Sequence, residues 1–186
     1  LMTHDLLPDY LEKTYVIDLI DSVFNGTKNI TRKDGSLEEA YPFEKSFCTT
    51  SLIAYDLSET IINIKPLLNN QKYQHYLSIV EPLINFTIKN DEHHGVISNH
   101  LASAAAALIS WEKLSGVSIP KAKKLMAKIF QYQSKEGWFL EYNGADVGYQ
   151  TLATSYLSSC EKNYESENLR SSLKRSFEFL KDFIHP

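Results

Sequence analysis

Leu101-Ala-Ser-Ala-Ala-Ala-Ala-Leu-Ile-Ser-Trp111 carries no charge, and with its flanks it reads as a helix from Asn99 to Leu114. A helix that is apolar or small on every side has no wet face and must be enclosed by protein. Two further stretches share this character: Ser46–Ile64, free of charge as far as Tyr55, and Val147–Cys160, free of charge until Glu161. Between them lie amphipathic segments. Leu7, Tyr10, Ile17, Ile20 and Phe24 form a stripe over 6–24, and Tyr73, Leu77, Val80, Ile84 and Ile88 form one over 70–90, with Pro82 as a kink point. Pro120 opens a helix with Lys121, Lys123, Lys124 and Lys128 on its solvent face, and Leu169, Leu173, Phe177, Leu180 and Ile184 stripe 166–184. The alternation predicts an all-α domain in two layers, inner helices two, four and six against outer helices one, three, five and seven, paired as hairpins around an axis. Asn25-Gly26 is the expected stop of the first helix, leaving a long loop over 25–45.

The loops carry the chemistry. Asp34-Gly35, His94-Gly95 and Glu136-Gly137 each follow an outer helix and precede an inner one, an irregular repeat of the helical-hairpin kind. Antiparallel hairpins bring the three loops to one end, gathering Glu38, Glu39, Tyr41, Glu44, His93, His94, Asn99, His100 and Trp138. The richest stretch is 134–150. There Glu141, Tyr142, Asp146, Tyr149 and Gln150 are expected close together at a helix N-terminus, whose N–H groups favour anionic ligands. Such a cluster reads as a polar pocket floor; its structural counterpart is a capped helix behind an ordered loop, with Trp138 as a packing plug.

Bulk properties bound the function. The 186 residues suffice for one domain, and an apolar share of 43% with a charged share of 23% is ordinary for a globular chain. A net charge of −4 offers no field for nucleic acid, and the lysine run over 121–128 has no aromatic between its charges. No stretch is apolar for long enough to span a membrane. Cys48 and Cys160 form no disulfide framework or metal motif and read as buried thiols.

Asp34-Gly-Ser-Leu-Glu-Glu-Ala-Tyr-Pro-Phe-Glu-Lys-Ser-Phe-Cys-Thr-Thr, Ser98-Asn-His-Leu and Glu136-Gly-Trp-Phe-Leu-Glu-Tyr-Asn-Gly-Ala-Asp-Val-Gly-Tyr-Gln-Thr-Leu together resemble the loops of heparinase II/III-like (alginate lyase-like) proteins of bacterial polysaccharide loci. The resemblance covers 34–160. It implies an (α/α) toroid, here incomplete, with about three hairpins plus a seventh helix and so a fragment of a longer chain. The missing part of the toroid would leave the last helix exposed and favour homo-oligomers through it. It implies no cofactor and leaves the compartment open between cytoplasm and periplasm.

The resemblance also implies β-elimination on a uronic-acid-containing polysaccharide or oligosaccharide. That reaction needs a group to neutralise the substrate carboxylate, a base for the α-proton and an acid for the leaving oxygen. Asn99 and His100 match the family's Asn-His element, and Tyr149 or Tyr142 matches the proton-transfer group; Asn99 also reads as a plain N-cap and His100 as a packed histidine. Tyr41, Glu44, Trp138, Glu141, Asp146 and Gln150 are the expected sugar contacts. Glu44, Glu141 and Asp146 equally suit a glycoside hydrolase, and aromatics with Gln150 suit a glycan-binding toroid without chemistry. His93 and His94 are adjacent, not at the spacing that aims two imidazoles at one metal.

Overall fold

The computed structural model describes residues 13–184, with side chains from residue 15. Among them are seven α-helices: α1 (Lys13–Ile30), α2 (Phe47–Ile64), α3 (Asn70–Lys89), α4 (Ser98–Ser115), α5 (Pro120–Gln131), α6 (Val147–Glu161) and α7 (Glu167–Lys181). The described residues contain no strand, so the domain is all-α. Local chemistry sets the boundaries. Ser46, Asn69, Asp146 and Ser166 cap α2, α3, α6 and α7 with side-chain oxygens, Pro120 opens α5, and left-handed Gly116 closes α4.

The packing follows the charge pattern. α4 lies between α2 and α6, while α3 backs α2, α5 backs α4, and α7 backs α6. Every residue of α4 from Leu101 to Ser110 is buried, as a helix without charge requires. Its alanines let α2 and α6 reach over it: the Tyr55 hydroxyl of α2 donates to Ser159 Oγ of α6 at 2.8 Å, and Tyr55 meets Tyr156 edge-on at 5.1 Å.

Three expectations are corrected. Gly26 does not stop the first helix, which continues to Ile30. Phe24 is fully buried and stacks on Tyr76 at 3.9 Å, and Thr27 is buried, so tertiary contacts override the glycine. The following loop is correspondingly shorter. Leu7 and Tyr10 lie outside the described residues. Second, each inner helix pairs with the outer helix after it, so among the described helices the one left without a hairpin partner is α1, which leans on α3; α7 is paired with α6. Phe177 of the α7 stripe is nevertheless half exposed. Third, Lys121 is not on the solvent face. Its ammonium pairs with Asp91 at 2.8 Å and donates to the carbonyls of Ile88 and Asn90.

The glycine repeat is structural in its first and last copies. Gly35 N–H donates to the Arg32 carbonyl while Arg32 N–H donates to Ser36; Gly137 and Ser134 repeat this with Trp138. Both glycines sit at positive φ, +87° and +106°, against the backbone of an outer helix. A Cβ on Gly35 would lie 2.1 Å from the Pro82 carbonyl oxygen of α3, and one on Gly137 would lie 2.2 Å from that of Arg175 in α7. Only glycine permits this approach. Two positions on, Leu37 and Phe139 plug the core, and each donates its N–H to a side chain of the next inner helix, Thr50 Oγ1 and Gln150 Oε1 respectively.

Candidate functional site

The loops 31–46, 90–97 and 132–146 meet at one end. Tyr142 N–H donates to the Val96 carbonyl and Ser98 N–H to that of Leu140, so the second and third loops are joined by backbone bonds. The first and second loops face each other across a cavity of about 290 Å³ lined by Glu39, Glu44, Cys48, Glu92, His94 and His100 among others.

Glu92 is the centre of this face. It is 8% exposed, and its carboxylate accepts from His100 Nδ1 at 2.6 Å, His94 Nδ1 at 2.8 Å and His94 N–H at 2.9 Å. Burial pushes the Glu92 pKa up, but the hydrogen bonds from His100 and His94 outweigh it and hold the group down at about 2. An ionised carboxylate only accepts, so Nδ1 carries the proton on both imidazoles and Nε2 is the basic atom. Sequence reading passed over Glu92 because Asp91-Glu92-His93-His94 looks like a solvated loop. The available signal was an acid two residues before one histidine and eight before another at an inner-helix start.

Glu92 makes acid stability testable. Its folded pKa lies below its unfolded value, so its contribution is complete above the ordinary carboxylate range and is lost as pH falls towards about 2. Glu92→Gln is expected to lower stability at neutral pH and flatten the decline between about pH 5 and pH 2, measured by denaturant unfolding at a series of pH values. Parallel declines in the two chains would refute the assignment.

Asn99 is not the N-cap of α4; Ile97 occupies that position without a side-chain bond. The cap comes instead from the third loop. Glu141 Oε1 accepts Asn99 N–H at 2.8 Å, and Oε2 accepts Asn99 Nδ2 at 2.8 Å. A carboxylate at a helix N-terminus is well placed. Burial nevertheless raises the Glu141 pKa, only partly offset by the two Asn99 bonds.

The cluster expected over 141–150 divides into an inner and an outer set. Gln150 is enclosed rather than on a pocket floor: Oε1 accepts Phe139 N–H at 2.7 Å, and Nε2 donates to Ser176 Oγ at 2.6 Å. Glu141 is buried, whereas Tyr142 and Tyr149 are 53% and 45% exposed. Asp146 accepts Tyr149 N–H at 2.8 Å as the α6 cap. Burial, Tyr149, Glu92 and Glu141 together push the Tyr142 phenol upwards. Trp138 is half-buried, with its indole N–H on Glu136 at 2.9 Å.

No known protein family, curated protein or solved structure matches the chain. The site's own geometry therefore carries the functional reading.

In the first loop, Glu44 Oε2 accepts the N–H groups of Glu39, Ala40 and Tyr41, and these bonds lower its pKa. Arg32 pairs with Glu38 and lies 4.5 Å over the Phe43 ring. The tip presents Tyr41 and Phe43, 72% and 76% exposed. Among the described residues, the non-glycine residues at positive φ are Phe43, Lys45 and Tyr142, all in the loops of this face. Backbone strain of this kind concentrates at functional sites. Among the described residues, no three of the His, Cys, Asp and Glu side chains are grouped to hold a metal ion. No described helix is long and apolar enough to cross a membrane. Cys48 and Cys160 are buried free thiols, and burial raises both to about 12.

Proposed function

We propose that this chain forms part of a heparinase II/III-like (α/α) toroid and acts on a uronic-acid-containing polysaccharide by β-elimination. The observation behind this reading is the Glu92–His100 pair at the wall of the cavity between the first two loops. His100 Nε2 takes the proton α to the uronate carboxylate. The electron pair left on that carbon forms the new double bond as the bond to the leaving glycosidic oxygen breaks. Tyr142, half exposed on the third loop that is bonded to the second, gives a proton to that oxygen, with Tyr149 as the alternative donor. Asn99, buried and bonded to Glu141, holds the third loop to the start of α4 rather than meeting the substrate.

A hydrolase needs two available carboxylates. Glu44 is taken up by three backbone N–H groups, Asp146 caps α6, and Glu141 is buried against Asn99, so no observation favours that chemistry. A binding role without chemistry has one observation in its favour, the exposed Tyr41 and Phe43 at the tip of the first loop.

The test is incubation with a panel of uronate polysaccharides, following the ultraviolet absorbance of the unsaturated product. A signal removed by His100→Ala and by Tyr142→Phe is the expected result. Silence with new reducing ends would replace elimination by hydrolysis. Silence in both assays, with the glycan retained, would leave the binding role.

A further inference from the structure

An anionic chain laid over the His100 cavity meets an unfavourable field, because Glu39, Glu44, Asp91 and Glu92 line it and Lys45 is its one lysine. The opposing charge lies next door. A second cavity of about 540 Å³ is bordered by Lys33, Lys45, Asn85 and Lys89, with Glu81 and Asp34 as its acids. Lys45, Phe86 and Asn90 line both cavities, so the two lie side by side.

The second cavity has a fixed floor. Gly35 is pressed on the Pro82 carbonyl of α3, and Lys45, at φ +53°, pairs with Asp34 at 2.8 Å. Hydrogen bonds from Lys45 and Ser36 hold the Asp34 carboxyl well below the usual range, so that pair stays ionised. Lys33 and Lys89 are different: both are exposed, and neither forms an ion pair among the described residues.

We infer that this second cavity is a subsite for the carboxylated sugar units flanking the reacting one, held by Lys33 and Lys89. The inference rests on the uronate reading above and adds to it where the rest of the chain lies. Two ammonium groups with no ion-pair partner among the described residues supply the attraction that the acid-lined cavity lacks, and Lys45 marks the boundary between the two.

The test separates the subsite from the chemistry by using His100→Ala as a binding-only protein. Long and short oligosaccharides of alginate, pectate, hyaluronate and heparan sulfate are titrated by calorimetry at low and high salt. At least one long uronate is expected to bind, more weakly as salt rises. Lys33→Ala with Lys89→Ala should weaken that binding about fivefold, the effect of two exposed ion pairs, and leave short oligosaccharides unchanged. Lys124→Ala with Lys128→Ala, an equal charge change on the neighbouring α5 surface, should have no effect. Equal losses from the two pairs, no loss from Lys33 and Lys89, or no uronate bound at all would overturn the subsite. Lysine-dependent binding without turnover in the unmodified chain would keep the subsite and remove elimination. Turnover with lysine-independent binding would do the reverse.

Discussion

Gly137→Ala is expected to lower the thermal midpoint by about 10 °C, from a loss of about 3 kcal/mol or more, whereas Gly95→Ala costs about 1–2 kcal/mol. Both glycines sit at positive φ, +106° and +140°, so both variants carry backbone strain. Only Gly137 is also crowded. Its new Cβ would fall 2.2 Å from the Arg175 carbonyl oxygen and 2.7 Å from the carbonyl carbon, and neither can turn away as a side-chain end would. α7 would have to back off, and the bonds that tie it to the third loop and to α6 would go with it. These are Gln133 Nε2 to the Ser172 carbonyl at 2.9 Å and Gln150 Nε2 to Ser176 Oγ at 2.6 Å. Gly35→Ala, facing Pro82 in the same way, should behave like Gly137→Ala. Calorimetric scans of the three variants decide the matter, and coincident midpoints for Gly137→Ala and Gly95→Ala would show that contact with α7 is unimportant.

The second large effect concerns turnover. His100→Ala removes the proposed base and should reduce kcat/KM by about 10²- to 10⁴-fold, the usual share of a positioned general base. Glu92→Gln leaves the imidazole in place but removes the acceptor that keeps the proton on Nδ1, because an amide presents a donor as readily as an acceptor. The wrong tautomer then competes, and the loss should be about 10²-fold in kcat with KM little changed. Circular dichroism must show both variants folded. A Glu92→Gln chain with unaltered kcat would mean that the carboxylate serves the fold alone.

The two layers were legible because burial on every side excludes charge, and three stretches lack it: Ser46–Tyr55, Leu101–Trp111 and Val147–Cys160. What escaped depended on distant partners. Gly26 reads locally as a stop, yet a Cβ there would meet nothing within 4 Å, while Phe24 and Thr27 beside it are drawn into the core. Gln150 looks like a ligand-binding amide until α7 brings Ser176 to it. Asn99 looks like a cap until Glu141, 42 residues later in the chain, supplies the cap from another loop. Glu92 meets His100 eight residues later on α4, and in a run of polar loop residues that spacing is a faint signal. The end of the molecule where the loops gather could be read from helix order; the roles within it required the packing.

The enclosure of α4 has a mechanical consequence. This helix is gripped by α2 and α6, spanned by the Tyr55–Ser159 bond, and fastened at its start by Leu140 and Glu141. His100 is thus mounted on a helix enclosed by its neighbours, and the second and third loops are fastened to the same mount. The tip carrying Tyr41 and Phe43 stands free of that fastening. The position of the imidazole is therefore set jointly by α2, α6 and the third loop, so a packing change in any of the three reaches the His100 cavity.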